Sequence, residues 1–572
     1  MLHLYDNNAS IPLRDGTKLS AVVWRPAEGA APTLMVLSPY GNHEPATGAA
    51  GGGASYFPYV MSLVDAGYAV VWVECRGTYR SEGEFTPVVD EAAAAADALD
   101  WVVGQSWSNG RIGMYGPSYL GMTQWAAASG GHPALKAIAP TTTSMNVHGG
   151  CWYSPGGLLS HSLVAFWHNF MYIGEEVRRF GTGTEDPVLV EQLLEAFVAD
   201  DDLIRTRPIA NDPLLARRWL PDLLDHPDYD EFWHAHDFTR SVDRMTAPAL
   251  MVAGWFDLFL APQLADWVRL RHDAGSEDAR DGSRLIVGPW DHELPTGQYP
   301  DATFGPLGSC HAVGLTGEHI AFYDQWLKGE EPDPPRSPVR IFVMGRNEWR
   351  DEQDFPLPDT QYVDHYLVPG SLVSGPGPGD HAWSLAYDFD PHDPTPTMGG
   401  ALLPSTFGLV GPVEQGDLAE RADVLTFATE SLASEVEVTG FVSATLFVSS
   451  TARDTDFTVK LIDVHPDGRA VSVCGGALRM RYRHGLDSPQ LMQPGEIYEV
   501  EVSMAATSIV FSAGHRIRVD VSSSDFPHYD VNSNTGGIIS AEQPTDWITA
   551  TNTLYGGPAH PSRIVLPIID RD

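Results

Sequence analysis

At 572 residues the chain is too long for one ordinary core, since single cores stop growing near roughly 250–300 residues, so two or three domains are expected. Hydrophobic residues make up 43% and aromatics 10%, which supplies a large buried core and excludes a disordered or fibrous chain. With 75 acidic against 35 basic residues the formal charge is −40, which argues against broad contact with phosphate backbones or anionic lipid, and so against nucleic acid or membrane partners.

Residues 1–8 lack a basic segment followed by an apolar one, and no later run approaches the roughly 18 apolar residues of a membrane span. A soluble, cytoplasmic protein is the expectation. The motif RDGT (14–17) is a hairpin turn between two strands. Short apolar runs at 33–38, 68–73, 111–115 and 136–139 then alternate with helix signals at 90–103 and 118–129, the pattern of a parallel sheet flanked by helices. The stretch TGAAGGGA (47–54) has no side chains with which to build a core and reads as a loop beside the mouth of a site.

From 141 to 245 strand signals vanish, and aromatic and leucine-rich stretches such as 158–172 and 186–197 predict a helical insertion. Strand character resumes at 249–253 and 284–287, with a helix between them at 263–272. Beyond about 350 strands alternate with turns. Val436, Val438, Val442, Ala444, Leu446 and Val448 keep one parity, as do Ile517, Val519 and Val521, and PDG (466–468) is a turn signal. This part reads as a β-sandwich, with a Pro/Gly-rich linker at 369–379 near its start. Cys75, Cys151, Cys310 and Cys474 have neither zinc-knuckle nor disulfide-scaffold spacing, and most of them are expected to be buried thiols.

The segment RIGMYGPSYLG (111–121) places Ser118 between a strand and a helix, the layout of a nucleophile elbow, where neighbours must be small and the helix aims its first N–H groups at developing negative charge. The generic G-x-S-x-G pattern is imperfect here, with Leu120 and then Gly121. Two further strand ends carry GWFD (254–257) and GPWDH (288–292), so the order Ser118, Asp257, His292 is the Ser, Asp, His order of α/β-hydrolases. In that arrangement His292 is the general base and Asp257 holds its tautomer. The Tyr119 amide and Tyr40, which follows the strand at 33–38, stand where oxyanion donors are needed.

These motifs closely resemble those of the bacterial cocaine esterases, within the CocE/NonD group of serine hydrolases related to the X-Pro dipeptidyl peptidases. The resemblance runs from end to end, on SPY (38–40), RG (76–77) with SEGEF (81–85), GPSYLGMTQ (116–124), GWFD, GPWDH, VMG (343–345), DTDFT (454–458), RMRYR (479–483) and NSNTGG (532–537). The serine motif follows the group's own form, with glycine at 121. The resemblance implies an α/β-hydrolase core (1–144 and 245–350), split by a helical cap (145–244) and followed by a β jelly roll (351–572). It also implies an oxyanion bond from the Tyr40 hydroxyl and an aryl-ester pocket lined by Trp152, Trp167, Phe259 and Leu403. Pro404 and the glycine-rich loop at 41–57 depart from the group's pattern.

Aromatic acyl esters, of benzoyl type, are therefore the expected substrates, with cocaine among the candidates. The expected partner is a small-molecule ester, with a homodimer left open as the assembly. Neither a cofactor nor a metal is expected, since no histidine shows H-E-x-x-H or comparable ligand spacing. One rival is an α-amino-acid ester hydrolase or X-Pro dipeptidyl-peptidase-like activity, which needs carboxylates for a free amine. Phe259 and Leu260 occupy the positions after Asp257 where such relatives carry acids, and Asp291 and Glu293 read as solvated loop acids. The other rival is a binding protein on a dead hydrolase core, which an intact set of nucleophile, acid, base and oxyanion donors opposes.

Overall fold

The computed structural model describes residues 3–41, 55–56, 58–181, 206–211, 219–375, 377, 379–403 and 409–571, together with 188, 191, 195 and 205. Ten strands form one sheet: β1 (His3–Pro12), β2 (Lys18–Pro26), β3 (Ala31–Ser38), β4 (Ala69–Glu74), β5 (Ser108–Pro117), β6 (Leu135–Thr141), β7 (Leu250–Gly254), β8 (Arg284–Gly288), β9 (Val339–Val343) and β10 (Glu348–Glu352). Their spatial order is β1-β2-β4-β3-β5-β6-β7-β8-β9-β10. The run from β4 to β9 is parallel, and the edges are antiparallel, with β1 on β2, β2 on β4 and β10 on β9.

Burial on both faces explains the unbroken apolar runs of the central strands. Leu34 and Val36 of β3 join one core, packed with Val70 and Trp72 of β4. Met35 and Leu37 join the opposite core with Val71 and Val73, as a two-residue side-chain period requires. Crossover helices Glu91–Val103 and Tyr119–Ser129 follow the expected segments closely. Gly16, at φ 93°, makes the predicted turn between β1 and β2.

Between β6 and β7 the described residues form helices, the longest being His161–Gly181, with shorter ones at Leu220–Asp225 and Glu231–His234. Of the helix expected over 186–197, residues 188, 191 and 195 are described, and all three are helical. The stretch 47–54 and Pro404 lie outside the described residues. No helix among the described residues is long and apolar enough to cross a membrane.

The remaining strands are β11 (Gln361–Val368), β12 (Ser371–Ser374), β13 (Trp383–Phe389), β14 (Leu425–Ala428), β15 (Val436–Ser450), β16 (Asp456–Val464), β17 (Ala470–Arg479), β18 (Tyr498–Phe511), β19 (Arg516–Ser522), β20 (Ala550–Gly556) and β21 (Arg563–Ile569). They make a seven-stranded sheet, in which β18 pairs with β15, and a four-stranded sheet in the order β14-β19-β16-β17. Val438, Val442, Ala444, Leu446 and Val448 of β15 share a core with Val459, Leu461, Val519 and Val521, as the parity of the sequence predicts. The result is an α/β-hydrolase with a C-terminal β jelly roll.

The first half of the stretch expected to be a linker, 369–374, is part of the jelly roll instead. Val368 pairs with Ser371 across a tight turn in which Gly370 takes φ 73°, and Ser371–Ser374 is a strand of the jelly roll. Proline and glycine there serve a hairpin rather than a hinge. Backbone bonds from Met344 N to Ser508 O (2.9 Å) and from Val510 N to Met344 O (2.8 Å) tie β18 to the end of β9, and Arg350 adds a bidentate bond to Glu437 at 3.0 and 2.7 Å. The jelly roll is thereby fixed against the hydrolase sheet.

Candidate active site

Strand β5 ends at Pro117, and Ser118 follows at φ 56° and ψ −126°, a conformation that costs a non-glycine residue about 1–3 kcal/mol. The surroundings hold it there: the Ser118 N–H donates to Thr141 O at 2.9 Å, and Thr143 Oγ1 donates to Ser118 O at 2.9 Å. A Cβ on Gly116 would lie 2.6 Å from Leu120 Cβ, and one on Gly121 would lie 2.4 Å from Thr143 Cγ2. Position 121 must therefore be small because the chain leaving β6 packs against it, whereas Leu120 folds back over Gly116. The Ser118 side chain caps none of the helix N–H groups, and the Tyr119 N–H, in the first turn, has no intrahelical acceptor.

Two strands away, the loops after β7 and β8 interlock. Trp255 N donates to Gly288 O at 2.8 Å and Phe256 N to Trp290 O at 2.9 Å. A Cβ on Gly254 would meet Trp290 O at 2.3 Å and one on Gly288 would meet the Trp290 ring at 2.3 Å, so the glycines of both motifs make room for one residue, Gly254 for its carbonyl and Gly288 for its indole. This sets His292 Nδ1 2.7 Å from Asp257 Oδ2, while the other carboxylate oxygen accepts the Phe259 N–H at 2.7 Å. The Asp257 side chain is 0% exposed and that of His292 8%. Burial disfavours the imidazolium, but the charge and hydrogen bond of Asp257 outweigh it, and the His292 pKa lies above its ordinary 6.5.

Asp291 is not a solvated loop acid. It is buried, its carboxylate accepts the N–H groups of Glu293 (2.9 Å) and Leu294 (2.8 Å), and burial raises its pKa to about 6. Its backbone oxygen accepts the Tyr56 hydroxyl, which closes the loop over it. Glu293 is half-buried.

The opposite wall of the site is aromatic. Trp167 Nε1 donates to the Tyr40 hydroxyl oxygen at 2.9 Å, and the Trp167 ring stacks on Tyr119 at 5.7 Å and 15°. Trp152 packs against Trp167 at 5.3 Å, and the Phe259 ring lies 5.3 Å from that of His292. Leu403 lines an adjoining recess with Cys151, Tyr153, Leu163, Leu258 and Pro262. Three participants escape the sequence reading. Trp219 packs on both Trp152 (5.3 Å) and Trp167 (5.5 Å), and Phe85 lies 5.9 Å from Tyr119. Glu91, buried with a raised pKa, accepts the Tyr119 hydroxyl at 2.7 Å, and that oxygen in turn accepts the Val88 N–H at 2.8 Å. Both bonds anchor the residue next to Ser118. Cys75, Cys151 and Cys310 are buried, Cys474 is half-buried, and all four are free thiols.

Residues 15–293 match the sequence profile of the X-Pro dipeptidyl-peptidase S15 family, and residues 335–565 match that of the X-Pro dipeptidyl-peptidase C-terminal non-catalytic domain. The chain is 44% identical to a cocaine esterase of Rhodococcus sp. (strain MB1 Bresler), over 99% of this chain and 98% of that one. The chain belongs to the CocE/NonD family of serine hydrolases. Membership in that family makes it a carboxylic-ester hydrolase. Solved structures agree with the family's fold. An α-amino acid ester hydrolase superposes with a TM-score of 0.79 at 25% identity, covering 99% of this chain and 97% of that one. An aminopeptidase from a marine sediment Thaumarchaeota archaeon gives 0.81 at 25% identity, covering 100% and 96%.

Proposed function

We propose that Ser118 is the nucleophile, His292 the general base and Asp257 its orienting acid, and that the substrates are esters of aromatic, benzoyl-type acids. The observation that carries this reading is a serine held at φ 56° on a strand end, with a buried His–Asp pair bonded at 2.7 Å on neighbouring strand ends of the same sheet. In the reaction, Ser118 Oγ attacks the ester carbonyl as its proton passes to His292 Nε2. The imidazolium is stabilised by Asp257 at Nδ1. Charge developing on the carbonyl oxygen is met by the Tyr119 N–H and the Tyr40 hydroxyl. Collapse expels the alcohol, which takes the proton back from His292, and water deacylates Ser118 by the same steps in reverse order.

Trp152, Trp167, Phe259 and Leu403 are assigned to the acyl pocket, with residues 145–244 acting as a cap over a core formed by 1–144 and 245–350. The Tyr40 hydroxyl oxygen accepts the Trp167 Nε1–H at 2.9 Å, which ties it to the aromatic wall of the site. The same reading takes the chain as a cytoplasmic enzyme acting on free small-molecule esters, cocaine-like esters included, without nucleic acid or membrane, alone or as a homodimer. Its β jelly roll comprises 351–572.

The S15 profile and the aminopeptidase neighbour favour a second reading, in which a free α-amine is recognised. Against it, Phe259 and Leu260 follow Asp257, and the Asp291 carboxylate is engaged by two backbone N–H groups. Hydrolysis of 4-nitrophenyl benzoate compared with alanyl and prolyl nitroanilides decides between them. The ester is expected to be preferred by kcat/KM, and a preference for either anilide would reverse the order. A fluorophosphonate probe should label Ser118, and failure to label it would remove the nucleophile assignment.

A further inference from the structure

The pairing of β16 with β19 brings together side chains that no sequence motif connects. Asp463 is the penultimate residue of β16, His465 opens the turn at 466–468, and His515 immediately precedes β19. The strands pair in register, Asp463 with Ile517 and Val464 with Arg516, so the two histidines flank one carboxylate. His515 Nδ1 lies 2.8 Å from Asp463 Oδ1, and His465 Nε2 lies 3.6 Å from Asp463 Oδ2. The imidazole centroids are 4.5 Å apart, and one ligand atom from each of the three residues falls within 4.8 Å of the others.

We propose that Asp463, His465 and His515 form a binding site for a divalent transition metal ion, with Zn²⁺ as the representative ligand. Metal–donor bonds of about 2.0–2.2 Å at tetrahedral angles separate donors by roughly 3.3 Å, and with one ligand atom from each residue already within 4.8 Å of the others, side-chain rotations can draw the three donors around one ion. Two imidazoles and one carboxylate are a donor set that zinc and its neighbours accept, and a water completes the fourth position. On binding, the proton shared by His515 and Asp463 leaves. The site is preorganised by backbone bonds: His465 N–H donates to Arg469 O at 2.8 Å, and Leu432 N–H to His515 O at 2.8 Å. Arg469 is paired with Asp467 at 3.0 Å and also lies 3.5 Å from His465 Nδ1, on the ring nitrogen away from Asp463, and the formal charge of −40 favours cation uptake.

The other end of β16, at Asp456, is bonded to Arg479, whose N–H donates to Gly156 O of the segment between β6 and β7. Asp463 is therefore roughly 23 Å along the strand from that junction, and the ion's effect falls on the stability of the jelly roll rather than on hydrolysis.

The test uses the full chain, stripped with a chelator and titrated with Zn²⁺ by isothermal titration calorimetry near neutral pH. One equivalent should bind and raise Tm. In the H465A/H515A double variant affinity should fall at least tenfold and the rise in Tm should vanish, while hydrolysis of 4-nitrophenyl benzoate stays at the wild-type rate and reports an intact fold. The single variant H465A, at the half-exposed turn, should weaken binding in the same direction if the double variant does not fold. No binding by the wild type, or unchanged affinity in the variants, would overturn the proposal and leave the cluster as a charge clamp on the hairpin.

Discussion

His292 and Asp257 stand on two neighbouring parallel strands whose following loops exchange backbone hydrogen bonds, whereas Tyr40, Tyr119 and Trp167 come from three separate elements that meet through their rings and one hydroxyl. The base side of the site is thus fixed by the sheet itself. The acyl side depends on the long helix His161–Gly181 lying correctly over the core, since Trp167 belongs to it. A protein of this design tolerates change in the second wall, and with it a change of substrate, without disturbing the proton transfer performed by the first.

If that division holds, the largest loss follows from damage to the base side. Asp257→Asn would donate to His292 Nδ1 instead of accepting from it, which forces the proton onto Nε2, where Ser118 needs an acceptor. A fall in kcat of roughly 10⁴-fold is expected, with the fold unchanged by circular dichroism. A loss smaller than tenfold would show that Asp257 is not the orienting acid.

On the acyl side, Tyr40→Phe removes a hydroxyl but keeps the ring. It should lower kcat by roughly 100-fold with KM for 4-nitrophenyl benzoate little changed, because an oxyanion donor acts in the transition state. Wild-type rates would take Tyr40 out of the oxyanion role. Trp167→Phe tests the support of that hydroxyl. Loss of one neutral hydrogen bond, worth about 0.5–1.5 kcal/mol, predicts a fall of roughly twofold to tenfold in kcat/KM. An effect as large as that of Tyr40→Phe would mean that the indole itself contacts the reacting group.

The same contrast governs what the sequence could reveal. Strand β3, with all eight residues buried, and the alternation along β15 are local patterns, so the sheets and the two loop motifs GWFD and GPWDH were readable one segment at a time. Glu91 was not, because its role depends on a hydrogen bond to Tyr119 across 28 residues, and an acid at the start of a helix ordinarily signals only dipole stabilisation. Trp219 likewise gains meaning only from its packing on Trp152 and Trp167. Asp291 misled in the opposite direction. A carboxylate between Trp290 and His292 reads as a solvated loop acid until Tyr56 and two backbone N–H groups are found enclosing it. The cluster of Asp463 and His465 with His515 spans 52 residues between its bonded members, beyond the reach of any spacing rule.

Asp291 also offers the finest probe of the base side. Its charge is among those that raise the His292 pKa, although burial of the ring, the Asp257 carboxylate and the Glu293 carboxylate weigh more heavily. The general base must be neutral, so kcat/KM falls as pH drops through that raised pKa. Burial raises the Asp291 pKa to about 6, so its charge is being lost over the lower part of the wild-type acid limb. Asp291→Asn keeps an oxygen to accept the N–H groups of Glu293 and Leu294 but removes the charge. With less negative potential on the ring, the imidazolium is less favoured, and the acid limb of kcat/KM should move to lower pH and become closer to a single titration, while the plateau rate stays nearly the same. A limb that stays in place would mean that Asp291 is already neutral where His292 titrates, and a limb that moves upward would mean that the loop, rather than the charge, sets the position of the base.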